Sequence, residues 1–242
     1  MTVTAAEPAI VQPASSDPFR VGMIVFDRMT NLDFAGPADV FARVPGASVH
    51  VIAHSHGAIV TDAGIHVVPD VALDDAPELD LIFIGGGPGT TELMEDGTLL
   101  AFLAARAERA AWITSVCTGA LVLGAAGLLR GYRATSHWTT LHILALLGAD
   151  AVEERVVIDR NRITGGGVTA GIDFALTVVA ALWGDELAQT IQLGMEYDPA
   201  PPFNAGSPQT APAHIVERFL ARSAALTDAR VAAATRAAAR FR

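Results

Sequence analysis

The stretch WITSVCTGALVLGAAGLL, Trp112–Leu129, decides how this chain is read. Its first five residues form an apolar run that suits a buried strand. From Thr118 to Ala126 the small and aliphatic residues suit a closely packed helix. Cys117 lies at the join and is the only cysteine among 242 residues. A strand that ends in a nucleophile and turns directly into a helix is a nucleophile elbow. Thr118, Gly119 and Ala120 leave room for the sharp turn. Unpaired N–H groups and the macrodipole at a helix amino end favour an anion, so the thiol is expected to ionise more readily than a free cysteine. The alternative role, a buried cysteine acting as a small hydrophobe, fits the junction less well.

The same alternation of strand and helix extends outward. FRVGMIVF (Phe19–Phe26), SVHVIAH (Ser48–His54) and LDLIFI (Leu79–Ile84) read as further strands. Pro37 after Gly36 suits the first turn of a helix that would reach about Val44. AIVTDAGIHVVPD reads as two short strands around Asp62–Gly64. A helix is expected over Leu99–Arg109. ERVVIDRNRITGGG reads as a hairpin turning at Arg160–Asn161, followed by helices Gly171–Trp183 and Glu186–Glu196 and a long Ala/Arg-rich helix from about Ala213. Strands alternating with helices predict an α/β sandwich, with a parallel-rich sheet covered on both faces and extra hairpins. Residues 1–18 are rich in Pro, Ala and Ser and read as a disordered tail; residues 19–242 read as one catalytic domain.

Composition narrows the function. The formal net charge is −10, which argues against nucleic acid or an anionic membrane as a main partner. All 16 basic residues are arginine, so chemistry that needs a lysine is excluded. No stretch is long and apolar enough to span a bilayer, no signal peptide is evident, and one cysteine permits no intrachain disulfide; a cytoplasmic location is expected. GGGVTA (Gly165–Ala170) matches a dinucleotide-loop pattern, but a helix follows where the next strand of a βαβ unit is needed. His54 and His56 lack a third ligand for a metal.

The chemistry gathers at strand ends. Loops Gly85–Gly87 and Cys117 would both lie at the carboxyl edge of the sheet, where open α/β folds bind ligands. Amides of the glycine loop, Gly86 and Gly87, together with that of Thr118, would form an oxyanion hole. Asp33, between Leu32 and Phe34, would either cap a helix or sit partly desolvated beside Cys117 as an acid/base partner. His137 is a possible accessory to the thiol or a backbone-bonded loop histidine.

SVCTGALVLGAAGLL, ATSHW, TGGGVTAGIDFALTVVA, EYDPAPPFNAGSP and LDFAGPADV together resemble the ThiJ/PfpI branch of the class I glutamine-amidotransferase-like superfamily, and within it the isocyanide hydratases. The resemblance extends from about Arg20 to the carboxy terminus. It implies a flavodoxin-like sandwich, a homodimer, no cofactor, and an isocyanide as small-molecule substrate. Cys117 matches the nucleophile and Asp33 the acidic partner. Thr118 flanks the nucleophile, and Gly166 and Val168 fall on a loop lining the pocket. Many members carry Glu where this chain has Asp33, whereas the hydratase branch has Asp. The chemistry implied is cysteine-dependent hydration to an N-formamide through a thioimidate. Three other readings stay open: glyoxalase, deglycase or hydrolase chemistry, the sensing half of a regulator, and a thiol-based redox sensor.

Overall fold

A computed structural model describes residues 18–241. Along the chain, β1 (Phe19–Ile24), α1 (Asn31–Phe41) and β2 (Ala47–Ala53) come first. Short strands β3 (Ile59–Val60), β4 (His66–Val67) and β5 (Val71–Ala72) precede β6 (Leu81–Ile84). Helices α2 (Thr90–Leu93) and α3 (Gly97–Ala107) lead to β7 (Trp112–Val116) and α4 (Gly119–Ala125). Next come β8 (Arg133–Ala134), α5 (Leu141–Leu146), β9 (Asp150–Ala151) and the hairpin of β10 (Val156–Asp159) with β11 (Arg162–Gly165). Helices α6 (Ala170–Trp183), α7 (Asp185–Gly194) and α8 (Ala213–Ala239) complete the described chain.

Seven strands form one sheet in the order β10-β11-β7-β6-β1-β2-β5, parallel throughout except for the β10–β11 hairpin. The two faces are filled by alternate residues of the same strands. In β6, Leu81 and Phe83 point to one side and pack with Phe41, Phe174 and Val178 from α1 and α6. Ile82 and Ile84 point to the other and pack with Leu103, Leu121 and Ile143 from α3, α4 and α5. This is the sandwich expected from the sequence. Among the described residues, no helix is long and apolar enough to cross a membrane. The proposed tail lies almost wholly outside the described residues.

Several element bounds differ from expectation for physical reasons. Helix α1 starts at Asn31, so Pro37 lies inside it rather than in the first turn, and the helix stops at Phe41. Pro37 removes one N–H to an earlier carbonyl, but the early start places Asp33 in the first turn. Helix α3 starts at Gly97 because the Asp96 side chain accepts from the Leu99 amide, a cap the apolar pattern did not reveal. Strands β5 and β9, two residues each, are too short to leave a periodic signal.

The elbow is built by close backbone contact. Cys117 has φ +55°, an uncommon conformation for a residue with a side chain. Gly119 then passes so near β6 that a Cβ would meet the Ile84 carbonyl oxygen at 2.2 Å and that of Gly85 at 2.7 Å. Backbone oxygens have no rotamer through which to move aside. Gly119→Ala is therefore expected to cost about 2 kcal/mol or more, read as a lowered midpoint of thermal or urea unfolding.

Candidate active site

Four segments meet at the carboxyl edge of the parallel strands. The first turn of α1, after β1, carries Asp33, and the loops after β6, β7 and β11 carry Gly85–Gly87, Cys117 and Gly166–Val168. The Cys117 amide donates to the carbonyls of Gly165 and Gly166, at 3.0 and 2.8 Å. Ser136 Oγ donates to the Cys117 carbonyl at 2.9 Å. These bonds hold the left-handed turn and aim the sulfur towards α1. There Asp33 is buried, and each of the two groups shifts the other's pKa.

Asp33 is fixed from its other side. Its Oδ2 accepts the Gly86 amide at 2.7 Å, while Oδ1 has no hydrogen-bond partner among the described residues. The Gly87 amide donates to Thr118 Oγ1 at 3.0 Å. Both glycine amides are thus committed to positioning Asp33 and Thr118, and neither is free to face an oxyanion. The amides that favour charge on the sulfur are those of Val168 and Thr118. Gly86 has to be glycine: a Cβ there would lie 2.6 Å from the Thr118 nitrogen and 2.7 Å from the Cys117 Cβ.

Burial pushes the Asp33 carboxyl up to about 6, against the pull of the Gly86 amide and the Cys117 thiol. Burial also pushes the Cys117 thiol up. The Asp33 charge adds to the rise, and the Val168 and Thr118 amides oppose it. The expected lowering is therefore reversed. Helix α4 is only seven residues long and apolar throughout, and desolvation of the sulfur outweighs what its amino end supplies. In the resting pair the proton stays on sulfur and Asp33 is the stronger acid.

A stability prediction follows from the Asp33 shift. A carboxyl raised from 3.8 to about 6 favours folding while it is protonated, and that contribution is lost as pH rises through this window. Relative to Asp33→Asn, the wild-type chain should lose about 3 kcal/mol between pH 3.8 and values above 6. Urea unfolding of both chains across that range reads the difference.

His137 is not bonded to the thiol. Its Nδ1 contacts Thr139 Oγ1 at 2.8 Å, and its ring packs beside Trp138 and Phe219. Burial and the nearby Arg230 charge push it down to about 4, so it is neutral near pH 7. It borders a cavity of about 610 Å³ whose walls include Ser136, Trp138 and the 166–169 loop. Gly206, Ser207 and Pro208 also line it, so the end of the EYDPAPPFNAGSP stretch reaches this cavity, as do the charged side chains of Glu153, Glu154 and Arg155. Neither Cys117 nor Asp33 lines this cavity; Cys117 is 4% exposed and is tied to its wall through Ser136, whose Oγ donates to the Cys117 carbonyl. The sequence did not single out Arg230: it is 113 residues beyond Cys117 on an otherwise ordinary Ala/Arg helix, and nothing local marks it. Its Nη2 donates to the Gly87 carbonyl at 3.0 Å.

Residues 19–181 match the model of the DJ-1/PfpI family. The chain belongs to that family. Among DJ-1/PfpI proteins, an isonitrile hydratase from Pseudomonas putida is 46% identical over 222 residues, 92% of this chain and 97% of that one. The crystal structure of a ThiJ/PfpI family protein from Pseudomonas syringae superposes with a TM-score of 0.87 at 45% identity, covering 95% of this chain and 97% of the other. The glutathione-independent glyoxalase DJR-1.2 of Caenorhabditis elegans is 33% identical over 53% of this chain and 69% of its own. The flavodoxin-like sandwich is what the ThiJ/PfpI resemblance in the sequence implied.

Proposed function

We propose that the protein hydrates isocyanides, R–NC, to N-formamides, R–NH–CHO, with Cys117 as nucleophile and Asp33 as proton carrier. The observation that carries this reading is the Cys117–Asp33 pair: a buried thiol coupled to a buried carboxyl near 6, whose Oδ1 has no hydrogen-bond partner among the described residues. The near-full-length likeness to an isonitrile hydratase supports the choice of substrate.

The terminal carbon of an isocyanide accepts both a nucleophile and a proton. As the sulfur attacks it, Asp33 takes the thiol proton and delivers it to that same carbon, giving the thioimidate R–N=CH–S–Cys117. Water then adds to this carbon: Asp33 accepts a proton from the water and returns one to nitrogen. The tetrahedral species collapses to the formamide, the C–S bond breaks, and the hydroxyl proton passes through Asp33 to sulfur. No proton or electron is gained or lost beyond one water. A carboxyl near 6 suits this double duty because donation and acceptance are both inexpensive near neutrality. The Thr118 and Val168 amides stabilise charge on the sulfur as it leaves. No step calls for a cofactor.

The cavity beyond Val168 holds R, and the single thiol stays free in a reducing, cytoplasmic setting. The working unit is a homodimer, in which a second copy covers exposed apolar residues such as Leu193 and Phe203, at 83% and 78% exposure; sedimentation equilibrium tests this. Purified protein given a simple alkyl isocyanide should yield the formamide. It should convert methylglyoxal at least about 100-fold less efficiently, because a pocket fitted to one reacting centre discriminates by several kcal/mol. Conversion of methylglyoxal with an inert isocyanide would overturn the assignment.

A further inference from the structure

Helix α8 is tied to the segment after β6 by three arginines. Arg236 pairs with Glu95, its Nε at 2.6 Å and its Nη2 at 2.9 Å. Arg240 Nη2 donates to the Met94 carbonyl at 2.8 Å. Arg230 reaches further in, where its Nη2 donates to the Gly87 carbonyl at 3.0 Å. Arg236 and Arg240 are exposed and fasten the helix from the surface, whereas Arg230 is buried. Among the described residues Arg230 makes no other hydrogen bond and has no carboxylate partner, and its Nε is unpartnered. Burying a guanidinium for a single carbonyl oxygen costs desolvation. Docking of the helix does not require it, so its place is explained by what that oxygen holds.

The Gly87 carbonyl is the one polar handle of its peptide unit, because Pro88 supplies no N–H. Gly87 has φ +141°, where a residue with a side chain rarely sits, so intrinsic backbone preference does little to fix it. The oxygen also accepts from Thr90, the hydroxyl at 2.8 Å and the amide at 3.3 Å, and from Thr118 Oγ1 at 3.3 Å. Thr90 is three residues along the same segment and moves with it. Arg230 makes the shortest contact from outside that segment. The other polar backbone groups of Gly86 and Gly87 serve the site. The Gly86 amide donates to Asp33 Oδ2 at 2.7 Å, the Gly86 carbonyl accepts the Thr30 amide at 2.9 Å, and the Gly87 amide donates to Thr118 Oγ1 at 3.0 Å. Two glycines are thus pinned from three directions: the start of α1, the elbow, and Arg230.

We propose that Arg230 is a positioning residue: through it α8 anchors the glycine loop, and its hold on the Gly87 carbonyl keeps the Gly86 amide on Asp33. It touches neither substrate nor reacting atoms. Its effect passes through the loop to the carboxyl that carries the proton. The inference rests on the proposed role of Asp33 for its kinetic reading, but its structural reading needs no isocyanide.

The test is amide hydrogen exchange followed by NMR in the full-length chain, with isocyanide kinetics beside it. Arg230→Met keeps a long unbranched side chain and removes both the donor and the buried charge, a change that protein interiors often tolerate. The Gly86 and Gly87 amides should exchange about tenfold faster or more, while the amides of β7 in the same sheet keep their wild-type protection. kcat should fall about 10- to 100-fold with KM within about twofold, as when a reacting group is displaced by about an ångström. Arg236→Met frees the helix from Glu95 but leaves Gly87 held, and should change neither reading. Wild-type protection of Gly86 in Arg230→Met would overturn the proposal. So would faster exchange spread equally over β7, which marks a loss of global stability alone, and so would opened glycine amides with kcat unchanged. If Arg230→Met does not fold, Arg230→Gln, whose amide is too short to reach Gly87, is read in the same way. Unchanged exchange beside intact isocyanide turnover sinks the anchor alone; opened glycine amides in the variant of a chain that turns over no isocyanide sink the hydratase reading alone.

Discussion

Replacing Cys117 by alanine is expected to reduce formamide production on the order of 10^4-fold or more while leaving the chain folded. Truncation of a nucleophile removes the covalent route altogether, and losses of that order accompany such substitutions when the remaining site still binds substrate. Stability should change little in comparison. The side chain is small and 4% exposed, and its loss leaves a cavity of about one sulfur atom. It also removes a buried thiol that perturbs Asp33. Without the thiol, whose influence helps keep the carboxyl down, Asp33 should move above 6 in the variant. Carboxyl titration by NMR in Cys117→Ala measures this directly. Formamide production at the wild-type rate by a folded Cys117→Ala would end the nucleophile assignment.

The second large effect belongs to Asp33. Asp33→Asn keeps the size and the bond to the Gly86 amide but removes the proton carrier. A loss of about 10^2 to 10^4-fold in kcat/KM is expected, the range of a general acid–base. The pH dependence supplies the sharper reading. In the wild-type chain, activity should rise as pH increases through about 6, because the resting pair needs an ionised Asp33 to take the thiol proton. That limb should vanish in Asp33→Asn. The same carboxyl makes wild type lose stability over the window in which activity rises. A pH-rate profile with its limb intact in Asp33→Asn would move the acid/base role elsewhere, with His137, pushed down to about 4 and bonded to Thr139, an unsuitable candidate.

Much of this was legible because long-range packing and local pattern agree along the strands. β1, β6 and β7 are apolar runs bounded by turn formers, and the Cys117 junction reads as an elbow since only a few residue types fit a strand-to-helix reversal. Asp33 was legible as a candidate but not as a commitment: the choice between helix cap and catalytic carboxyl depends on a contact 84 residues away in the chain. Local sequence does not carry that information. The glycine loop was read as an oxyanion hole because its amides lie at the correct strand edge. Their direction, towards Asp33 and Thr118, depends on side chains from two other elements. The thiol pKa was misjudged for a related reason: the amino end of α4 is a local feature, whereas desolvation of Cys117 is imposed by every element packed around it. Arg230 was hidden completely, because α8 presents it among alternating Ala and Arg whose burial only the tertiary fold decides.

The central claim is a covalent bond between one sulfur and the isocyanide carbon, and an intact-mass spectrum of the protein quenched in acid during turnover tests it most directly. The account predicts a species heavier by one isocyanide, mapped to Cys117 and lost in Cys117→Ser. Formamide accumulating while every protein molecule keeps its unmodified mass, with Cys117→Ser as fast as wild type, would contradict it.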